Sequence, residues 1–480
     1  MLLVHPIATL VAFLPALLAV GIARAGSEDG QRWELYAVPL ILAYGAVRWL
    51  TTRYRITGGQ IELRRGLLTR QTTTARLDKV RTIDLTSQPY HRLLGLAKVE
   101  ISTGGGQRDR LVLDSLRIAE GRRLRAELLH QVDPTLGDLP APTGPPVAVD
   151  ASAVPTTGDD EVLLRLDPRW IRYAPLTTTG LATAAAGFGV LSQGFSRYGE
   201  GGEAILERAR GVRGFAWWVD LVGVVILVSG LAAAAYVLTF WGFRLTRNRL
   251  GSLHTRRGLL TTRETSIDRA RVRGVHVEEP LGLRLAGARR LKVVTTGLLH
   301  ERGGSDWLCP PAPAATVTSL AEQITPDHAA VSGPLTAHGP QARRRRLTRT
   351  LVPAVGIGAA LVAGRLLWHW PSALLWVAPL VLLAAAALGL DRYRSLGHAV
   401  TGRHLVSREG SLDRRRVVLD REGVIGWRVE QSLFQRRAGI ATLVATTAAG
   451  RQHYDLVDVP LAEAYAVIAA VSPDLVAEFA

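Results

Sequence analysis

Arginine carries almost all of the positive charge in this sequence, and its guanidinium group is suited to binding phosphate. Of the 58 basic residues only Lys79, Lys98 and Lys292 are lysines, and the formal net charge is +17. A guanidinium group can donate two parallel hydrogen bonds to one phosphate. The excess of arginine has a functional explanation, selection for phosphate contacts, and a simpler one, a GC-rich coding bias.

The arginines that flank apolar segments are the candidate contacts to lipid headgroups, and they also act as topology determinants. They are Arg48, Arg53, Arg55, Arg244, Arg247, Arg343, Arg344, Arg345, Arg346, Arg392 and Arg394. The run from Arg343 to Arg346 could bind nucleic acid, but a basic run beside an apolar segment is more typical of a topology determinant. We therefore expect membrane lipids of the anionic inner leaflet as partners, at roughly 1 kcal/mol per arginine near the surface, and no nucleic acid.

Patterns typical of catalysis or metal binding are missing from the sequence. It has no Walker A, GxSxG or HExxH pattern and no paired cluster of metal ligands. Gly104, Gly105 and Gly106 are not followed by lysine and a helix, so they predict a hairpin tip instead of a phosphate loop. Cys309 is the single cysteine, which excludes an internal disulfide and a CxxC site. We expect no enzyme activity, no catalytic residue, no cofactor and no metal.

A unit that occurs three times along the chain must position these residues. In each copy a second glycine follows the first by 29 residues, and a threonine follows by a further 8. The three sets are Gly66, Gly95 and Thr103; Gly258, Gly287 and Thr295; and Gly410, Gly439 and Thr447. Alternating segments such as Gln60–Leu63 predict half-buried strands joined by glycine turns. Asp114 is predicted to cap a helix that runs to about Gln131.

Each copy is predicted to be a membrane hairpin followed by a soluble β domain. Six apolar runs are long enough to cross a bilayer. They are Leu2–Ile22, Trp33–Leu50, Trp170–Gln193, Phe215–Trp241, Leu351–Trp370 and Ser372–Leu390. The predicted order is hairpin 1–50, β domain 51–131, linker 132–161, hairpin 162–241, β domain 242–326, linker 327–346, hairpin 347–391 and β domain 392–480. Asp220 and Arg365 lie in or beside these runs, where charge is often functional and an interfacial position is the alternative.

The distribution of basic residues predicts the orientation in the membrane. Arginines are concentrated on the side of the β domains, whereas Arg24 and Arg32 of the first hairpin loop are accompanied by Glu28 and Asp29. The positive-inside rule then places both termini and all three β domains in the cytoplasm. Residues 23–25 resemble a signal-peptidase site, but the preceding run has no basic n-region, which favours an uncleaved first span. We expect a multi-pass protein of the plasma membrane.

Short motifs in the three copies resemble the bacterial PH (pleckstrin-homology-like) domain family. They are the Tyr54-Arg55-Ile56-Thr57 start, the Arg64-Arg65-Gly66-Leu67-Leu68 and Arg256-Arg257-Gly258-Leu259-Leu260 turns, and Leu93-Leu94-Gly95-Leu96. The threefold arrangement with paired spans resembles YdbT-like membrane proteins, and the third copy departs from it at His398-Ala399-Val400-Thr401 and Gly410-Ser411-Leu412. The resemblance implies three transmembrane helical hairpins, each followed by a PH-like β-barrel or sandwich capped by a C-terminal helix. It also implies a cell-membrane location and, as a partner, a smaller single-repeat PH-like membrane protein.

Three functions from different classes fit the sequence. The leading hypothesis is a non-enzymatic, membrane-anchored scaffold whose cytoplasmic β domains contact anionic headgroups or a partner membrane protein, because tethering makes weak contacts sufficient. A transporter or channel formed by the six spans is the second, although the spans carry few charges. A membrane enzyme is the third, and it would need a cluster of acid, base or metal-binding residues that the sequence does not display.

Overall fold

The chain forms two compact units in the computed structural model. The residues that it describes are 53–57, 60–65, 71–76, 82–89, 92, 95–102, 110–120, 161–177, 216–249, 251–296 and 306–473. The first unit comprises residues 1–165, 238–271 and 297–299, and the second comprises residues 166–237, 272–296 and 300–480. The second sequence repeat is therefore divided between the two units.

Each repeat contributes two groups of three strands. The first repeat contributes β1 (Arg53–Thr57), β2 (Gln60–Arg65), β3 (Gln71–Arg76), β4 (Thr82–Ser87), β5 (Leu96–Ser102) and β6 (Arg110–Arg117). After β7 (Glu161–Arg165), the second contributes β8 (Arg244–Arg247), β9 (Leu253–Arg257), β10 (Thr262–Ile267), β11 (Val272–Pro280), β12 (Ala288–Thr295) and β13 (Trp307–Pro313). The third contributes β14 (Gly397–Val400), β15 (His404–Glu409), β16 (Asp413–Asp420), β17 (Val424–Glu430), β18 (Ile440–Thr447) and β19 (His453–Pro460).

The sheets join strands from consecutive repeats. In the first unit a seven-stranded sheet has the order β6-β5-β4-β10-β9-β8-β7, and in the second a six-stranded sheet has the order β13-β12-β11-β16-β15-β14. The second strand group of one repeat thus pairs with the first strand group of the next. Two three-stranded sheets complete the set, β1-β2-β3 in the first unit and β17-β18-β19 in the second. Because each of the larger sheets combines strands from two repeats, the sheets do not separate one predicted β domain from the next. The predicted boundaries of the β domains stay a prediction.

The second unit contains a sandwich whose core lies between its two sheets. Alternating apolar side chains of the strands meet there and are closed by a C-terminal helix, Leu461–Val471. The core residues are Val294, Leu405, Val417, Leu419, Leu443, Ala445, Ala449, Tyr454, Leu456, Val459, Ala464, Val467 and Val471. Their burial provides the main stabilisation of the unit, because removing apolar surface from water is favourable. The expected repeated β-sheet architecture is present, and the helix cap is observed in the third repeat.

The helices differ from the predicted set of six spans. They are α1 (Ala216–Phe240), α2 (Leu281–Leu285), α3 (Ala314–Ile324), α4 (His328–Ser332), α5 (Gly339–Trp368), α6 (Val377–Arg394), α7 (Leu433–Arg437) and α8 (Leu461–Val471). Among the described residues, two segments are long and apolar enough to cross a membrane, Gly339–Trp368 and Ser372–Arg394. Val225–Phe240 of α1 forms a shorter apolar helix. Six spans are therefore not supported, and the two predicted spans before residue 51 lie outside the described residues.

The start of the third predicted span has a different structure. Pro168–Leu176 is a 3-10 helix, capped by the Asp167 carboxylate and with Trp170 and Tyr173 buried. Pro175 lies inside it, and proline removes a donor that a continuing α-helix would need. Residues 178–193 of this predicted span lie outside the described residues.

Two shorter expectations also differ from the structure. Asp114 lies inside β6, which pairs with β5 as far as Arg117, so the predicted helix does not begin at Asp114. Residues 121–131 of that predicted helix lie outside the described residues. The predicted second linker, 327–346, contains α4 and the first turns of α5. It is attached to the third repeat, since the Thr336 N–H donates to the His398 carbonyl at 2.7 Å and Asp327 Oδ2 lies 2.8 Å from His404 Nδ1.

Candidate anion-binding site

Two arginine-lined pockets occupy equivalent positions in the second and third repeats. Each lies where an apolar helix ends and beside the turn between the second and third strands of the repeat. Gly258 and Gly410 form these turns with φ of +107° and +94°. A Cβ at either glycine would lie 2.0 Å from the Thr261 carbonyl oxygen or 2.2 Å from that of Asp413, so only glycine fits there.

The second-repeat pocket has a volume of about 310 Å³. It is lined by Arg92, Trp241, Gly242, Arg244, Arg256, Arg257, Gly258, Leu259 and Thr262. Backbone hydrogen bonds fix the turn against the end of α1. The Gly258 N–H donates to the Trp241 carbonyl at 2.9 Å, and the Leu259 N–H donates to the Leu238 carbonyl at 3.0 Å.

Four guanidinium groups line the second-repeat pocket, and its lining residues include no carboxylate. Arg257 is 7% exposed and lies over the Phe240 ring, 5.5 Å from the centroid. Arg92 Nη1 donates to the Leu259 carbonyl at 2.7 Å. The Arg256 Nε atom is 3.6 Å from Glu264 Oε1, and the Arg256 side chain is 63% exposed, so solvent screens this ion pair. Because Arg244 and Arg256 are exposed, their guanidinium groups can reach an anion in the pocket.

The third-repeat pocket has a volume of about 360 Å³. It is lined by Arg346, Arg349, Arg392, Leu396, Glu409, Gly410, Ser411, Leu412, Asp413 and Arg415. The pocket is bounded by α5, which carries Arg346 and Arg349, and by the last turn of α6, which carries Arg392. It therefore lies beside the two segments that are apolar enough to cross a membrane.

Acidic residues form ion pairs with two of the four arginines in the third-repeat pocket. Arg415 Nη2 lies 2.6 Å from Asp413 Oδ2, and Arg346 Nη2 lies 2.7 Å from Asp458 Oδ2. Within the described part of the chain, Arg349 and Arg392 have no carboxylate partner, so their guanidinium groups remain available for a ligand. Glu409 is the other acid in the lining, and burial raises its pKa above the usual range, with a further increase from nearby Asp455.

Asp458 anchors the N-terminal part of α5 to the last strand of the third repeat. Its side chain is fully buried, and it accepts hydrogen bonds from Arg345 Nη1 and, at 3.0 Å, from Gln435 Nε2. Arg346 binds its second oxygen. Nearby, His338 Nδ1 lies 2.8 Å from the Val457 carbonyl. Half of the arginine run predicted to mark topology therefore contacts the protein itself.

The remaining predicted contact residues have different surroundings. Arg244, Arg346 and Arg392 line the two pockets. Arg247 binds Glu161 at 2.8 Å, and the side chains of Arg343, Arg344 and Arg394 are exposed. Arg53 and Arg55 lie in β1, and Arg48 lies outside the described residues. A role in headgroup contact stays a prediction for all of them.

Sequence reasoning missed five arginines that line the pockets. They are Arg92, Arg256, Arg257, Arg349 and Arg415. The signal that could have found two of them is their position directly before the repeated glycine, in Arg256-Arg257-Gly258. No group of three or more potential metal ligands occurs in the described residues. Arg365 is exposed in the last turn of α5, and its position near a membrane interface stays a prediction.

Comparison with known proteins identifies the repeated unit. The family model described as Bacterial PH domain matches residues 6–132, 201–325 and 350–473, which together make up well over half of the chain. The third repeat is matched despite its departures from the turn motif. No curated protein and no solved structure shows a significant match to the chain.

Proposed function

The chain belongs to the bacterial PH domain family, and from that premise we propose that it is a non-enzymatic, membrane-anchored scaffold that contacts anionic lipid headgroups through its arginine-lined pockets. The repetition of PH domains supports an interaction role. The observation that carries the lipid contact is the recurrence of the pocket. In each of the two pockets, four arginines converge beside the same glycine turn and the end of an apolar helix.

Exposed apolar side chains on α5 and α6 support membrane anchoring. Leu366, Leu380 and Leu383 are 71%, 65% and 69% exposed, although residues of this type are normally buried. A continuous apolar surface of this extent is unfavourable in water and favourable in lipid. Anchoring by this hairpin brings the third-repeat pocket to the depth of the headgroups. In this proposal the PH domains lie on the cytoplasmic side of the plasma membrane.

Protein partners follow from the same arrangement. Domains tethered to a membrane meet other tethered domains at high effective concentration, so weak contacts are sufficient for assembly. A smaller, single-repeat PH-like membrane protein remains our proposed partner.

Titration of the full chain in a neutral detergent with soluble short-chain lipids tests the headgroup contact. We expect phosphatidylglycerol to bind more tightly than phosphatidylcholine of equal chain length, and we expect the difference to shrink at high salt. Isothermal titration calorimetry measures both affinities. Equal affinities for the two lipids would overturn the headgroup contact, and complete extraction of the protein from cell membranes by alkaline carbonate would overturn the anchoring.

A further inference from the structure

The two junctions between consecutive repeats have the same strand register. In the first junction β4 pairs antiparallel with β10, and Thr82 lies opposite Ile267. In the second, β11 pairs antiparallel with β16, and Gly274 lies opposite Leu419. The repeat spacing makes Thr82 equivalent to Gly274 and Ile267 equivalent to Leu419. The same strand register therefore occurs in both junctions, although most of the paired residues differ between them.

Each junction also contains the same arginine contact. Arg92 Nη1 donates to the Leu259 carbonyl at 2.7 Å in the first junction, and Arg284 Nη1 donates to the Ser411 carbonyl at 3.5 Å in the second. The two arginines occupy equivalent positions, and so do the two carbonyl groups. Arg284 additionally binds Asp391 at 3.0 Å. An arginine that follows the fourth strand is thus part of the junction.

The third repeat carries the same junction surface, and among the described strands none covers it. Arg436 occupies the position of Arg92 and Arg284, and its side chain is exposed. Strand β17 is equivalent to β4 and β11, but it lies at the edge of its sheet in the described part of the chain. Residues 274–280 of β11 are all buried, whereas every residue of β17 is at least partly exposed. Ile425 and Phe434 are 62% and 75% exposed.

A glycine in β17 has no neighbour that explains it. In β11, a Cβ at Gly274 would lie 1.9 Å from the Val418 carbonyl oxygen of the paired strand. Gly426 is the equivalent residue of β17, and a Cβ there would meet nothing within 4 Å. The equivalent residue of the first junction is Thr82, so the two internal junctions have either threonine or glycine at this position. Gly426 therefore makes β17 similar to β11, the strand whose glycine lies against a paired strand.

The chain itself contains a strand that fits this surface. The first strand group of a repeat covers the junction through its third strand, which is β10 in one junction and β16 in the other. The equivalent strand of the first repeat is β3, which lies at the edge of the β1-β2-β3 sheet among the described strands. One copy of the chain thus has a junction donor and a junction acceptor at opposite ends of its repeat series.

We propose that β17 of one copy pairs antiparallel with β3 of a second copy, in the register of the internal junctions. This register places Gly426 opposite Ala75 and Glu430 opposite Gln71. The second of these pairs is equivalent to Thr86 opposite Arg263 in the first junction and to Glu278 opposite Arg415 in the second. The added strand would satisfy the free backbone groups of both edges, which otherwise invite uncontrolled pairing. Since the two surfaces differ, the contact is heterologous and produces rings or open chains of copies. It does not depend on lipid binding.

Disulfide cross-linking between two differently tagged full-length chains tests the register. One chain carries Glu430→Cys and the other carries Gln71→Cys, and both are co-expressed, purified in mild detergent and oxidised. The native Cys309 is buried and burial raises its pKa, so it stays unreactive. We expect a mixed-chain dimer on a non-reducing gel. The control pairs Glu430→Cys with Ala75→Cys, which moves the second cysteine about 13 Å along the strand.

Arg436, the junction arginine of the third repeat, provides a second test with an exposed residue. Arg436→Ala in the chain with Glu430→Cys is expected to lower the yield of mixed-chain dimer severalfold, whereas Arg437→Ala, at an exposed neighbouring position, leaves it unchanged. Absence of mixed-chain product, or equal yields from the matched and mismatched cysteine pairs, would overturn the proposal. An equal effect of the two arginine variants would also count against it.

Discussion

The two arginine-lined pockets differ in the acids that accompany their arginines. Glu409 and Asp413 line the third-repeat pocket, and Asp458 binds one of its arginines from outside the lining. The second-repeat pocket is lined by the same number of arginines and no acid. The repeat therefore determines where arginines converge, and the acids determine how much positive charge remains for an anion. We expect the second-repeat pocket to bind anions more tightly.

The largest expected effect comes from Asp458, which is specific to the third-repeat pocket. Asp458→Asn removes the carboxylate shared by Arg345 and Arg346 and leaves two partly buried charges without an acid. The free energy of unfolding should fall by about 3–5 kcal/mol, as expected when one partner of a buried ion pair is removed. Urea unfolding in detergent measures this loss.

Glu161→Gln is the matched control for the Asp458 substitution. It breaks an exposed pair with Arg247, and such pairs contribute at most about 1 kcal/mol. Similar losses from the two variants would show that Asp458 does not anchor α5, and the contrast between the two pockets would lose its main support.

Removing arginines from each pocket in turn tests which one binds anionic lipid more tightly. Arg244→Gln with Arg256→Gln should weaken phosphatidylglycerol binding about 30-fold, at roughly 1 kcal/mol per arginine. Arg349→Gln with Arg392→Gln removes the same charge from the third-repeat pocket. This double variant should weaken total phosphatidylglycerol binding less than about fivefold, because the acids near this pocket already reduce its contribution to binding. Calorimetry on the two double variants compares them, and the reverse order would refute the ranking.

Neutralising an acid should make the third-repeat pocket more similar to the second. Glu409→Gln removes one negative charge from the lining, and we expect affinity for phosphatidylglycerol at this pocket to rise about fivefold. The measurement is made in the Arg244→Gln, Arg256→Gln background, which isolates the third-repeat pocket. Glu422→Gln, an exposed acid that does not line the pocket, is the control and should leave the affinity unchanged.

The smallest expected effect is a pH dependence confined to the third-repeat pocket. Burial, followed by Asp455, raises the pKa of Glu409, while Arg415, Arg451 and Arg346 lower it. Below this raised pKa the side chain is neutral, so affinity for an anion rises as the pH falls through it. In the same isolating background, calorimetry at several pH values should show this rise, and Glu409→Gln should remove it. A rise that persists in that variant would assign the titration to another group.

The sequence predicted the local structure of the repeats better than their pairing. The repeated glycines predicted turns, and Gly258 and Gly410 form them at positive φ. Alternation at Gln60–Leu63 predicted a strand, and β2 occupies this segment. Alternation does not reveal which strand pairs with which, however. The pairing of β4 with β10 joins residues from different repeats, and no local pattern encodes a contact over that distance.

The candidate site could be predicted only in part for the same reason. Positions beside apolar runs identified Arg244, Arg346 and Arg392, which line the pockets. The acceptor of Arg346 is Asp458, in a strand more than a hundred residues later, and nothing near Arg346 in the sequence indicates it. Arg92 lines a pocket of the following repeat because the sheets cross between repeats. Its role depends on tertiary pairing, which a reading of single repeats omits.

The crossing of strands between repeats also determines when the first unit can fold during synthesis. Strand β4 ends at Ser87 and its partner β10 begins at Thr262, so the nascent chain must be extended through the second repeat before that ladder forms. At about 5–20 residues per second, the ribosome needs roughly 10–40 s for this interval. Throughout this interval the edge of β4 is not yet covered by β10. A chaperone or the translocation machinery would have to protect the edge of β4 for that time.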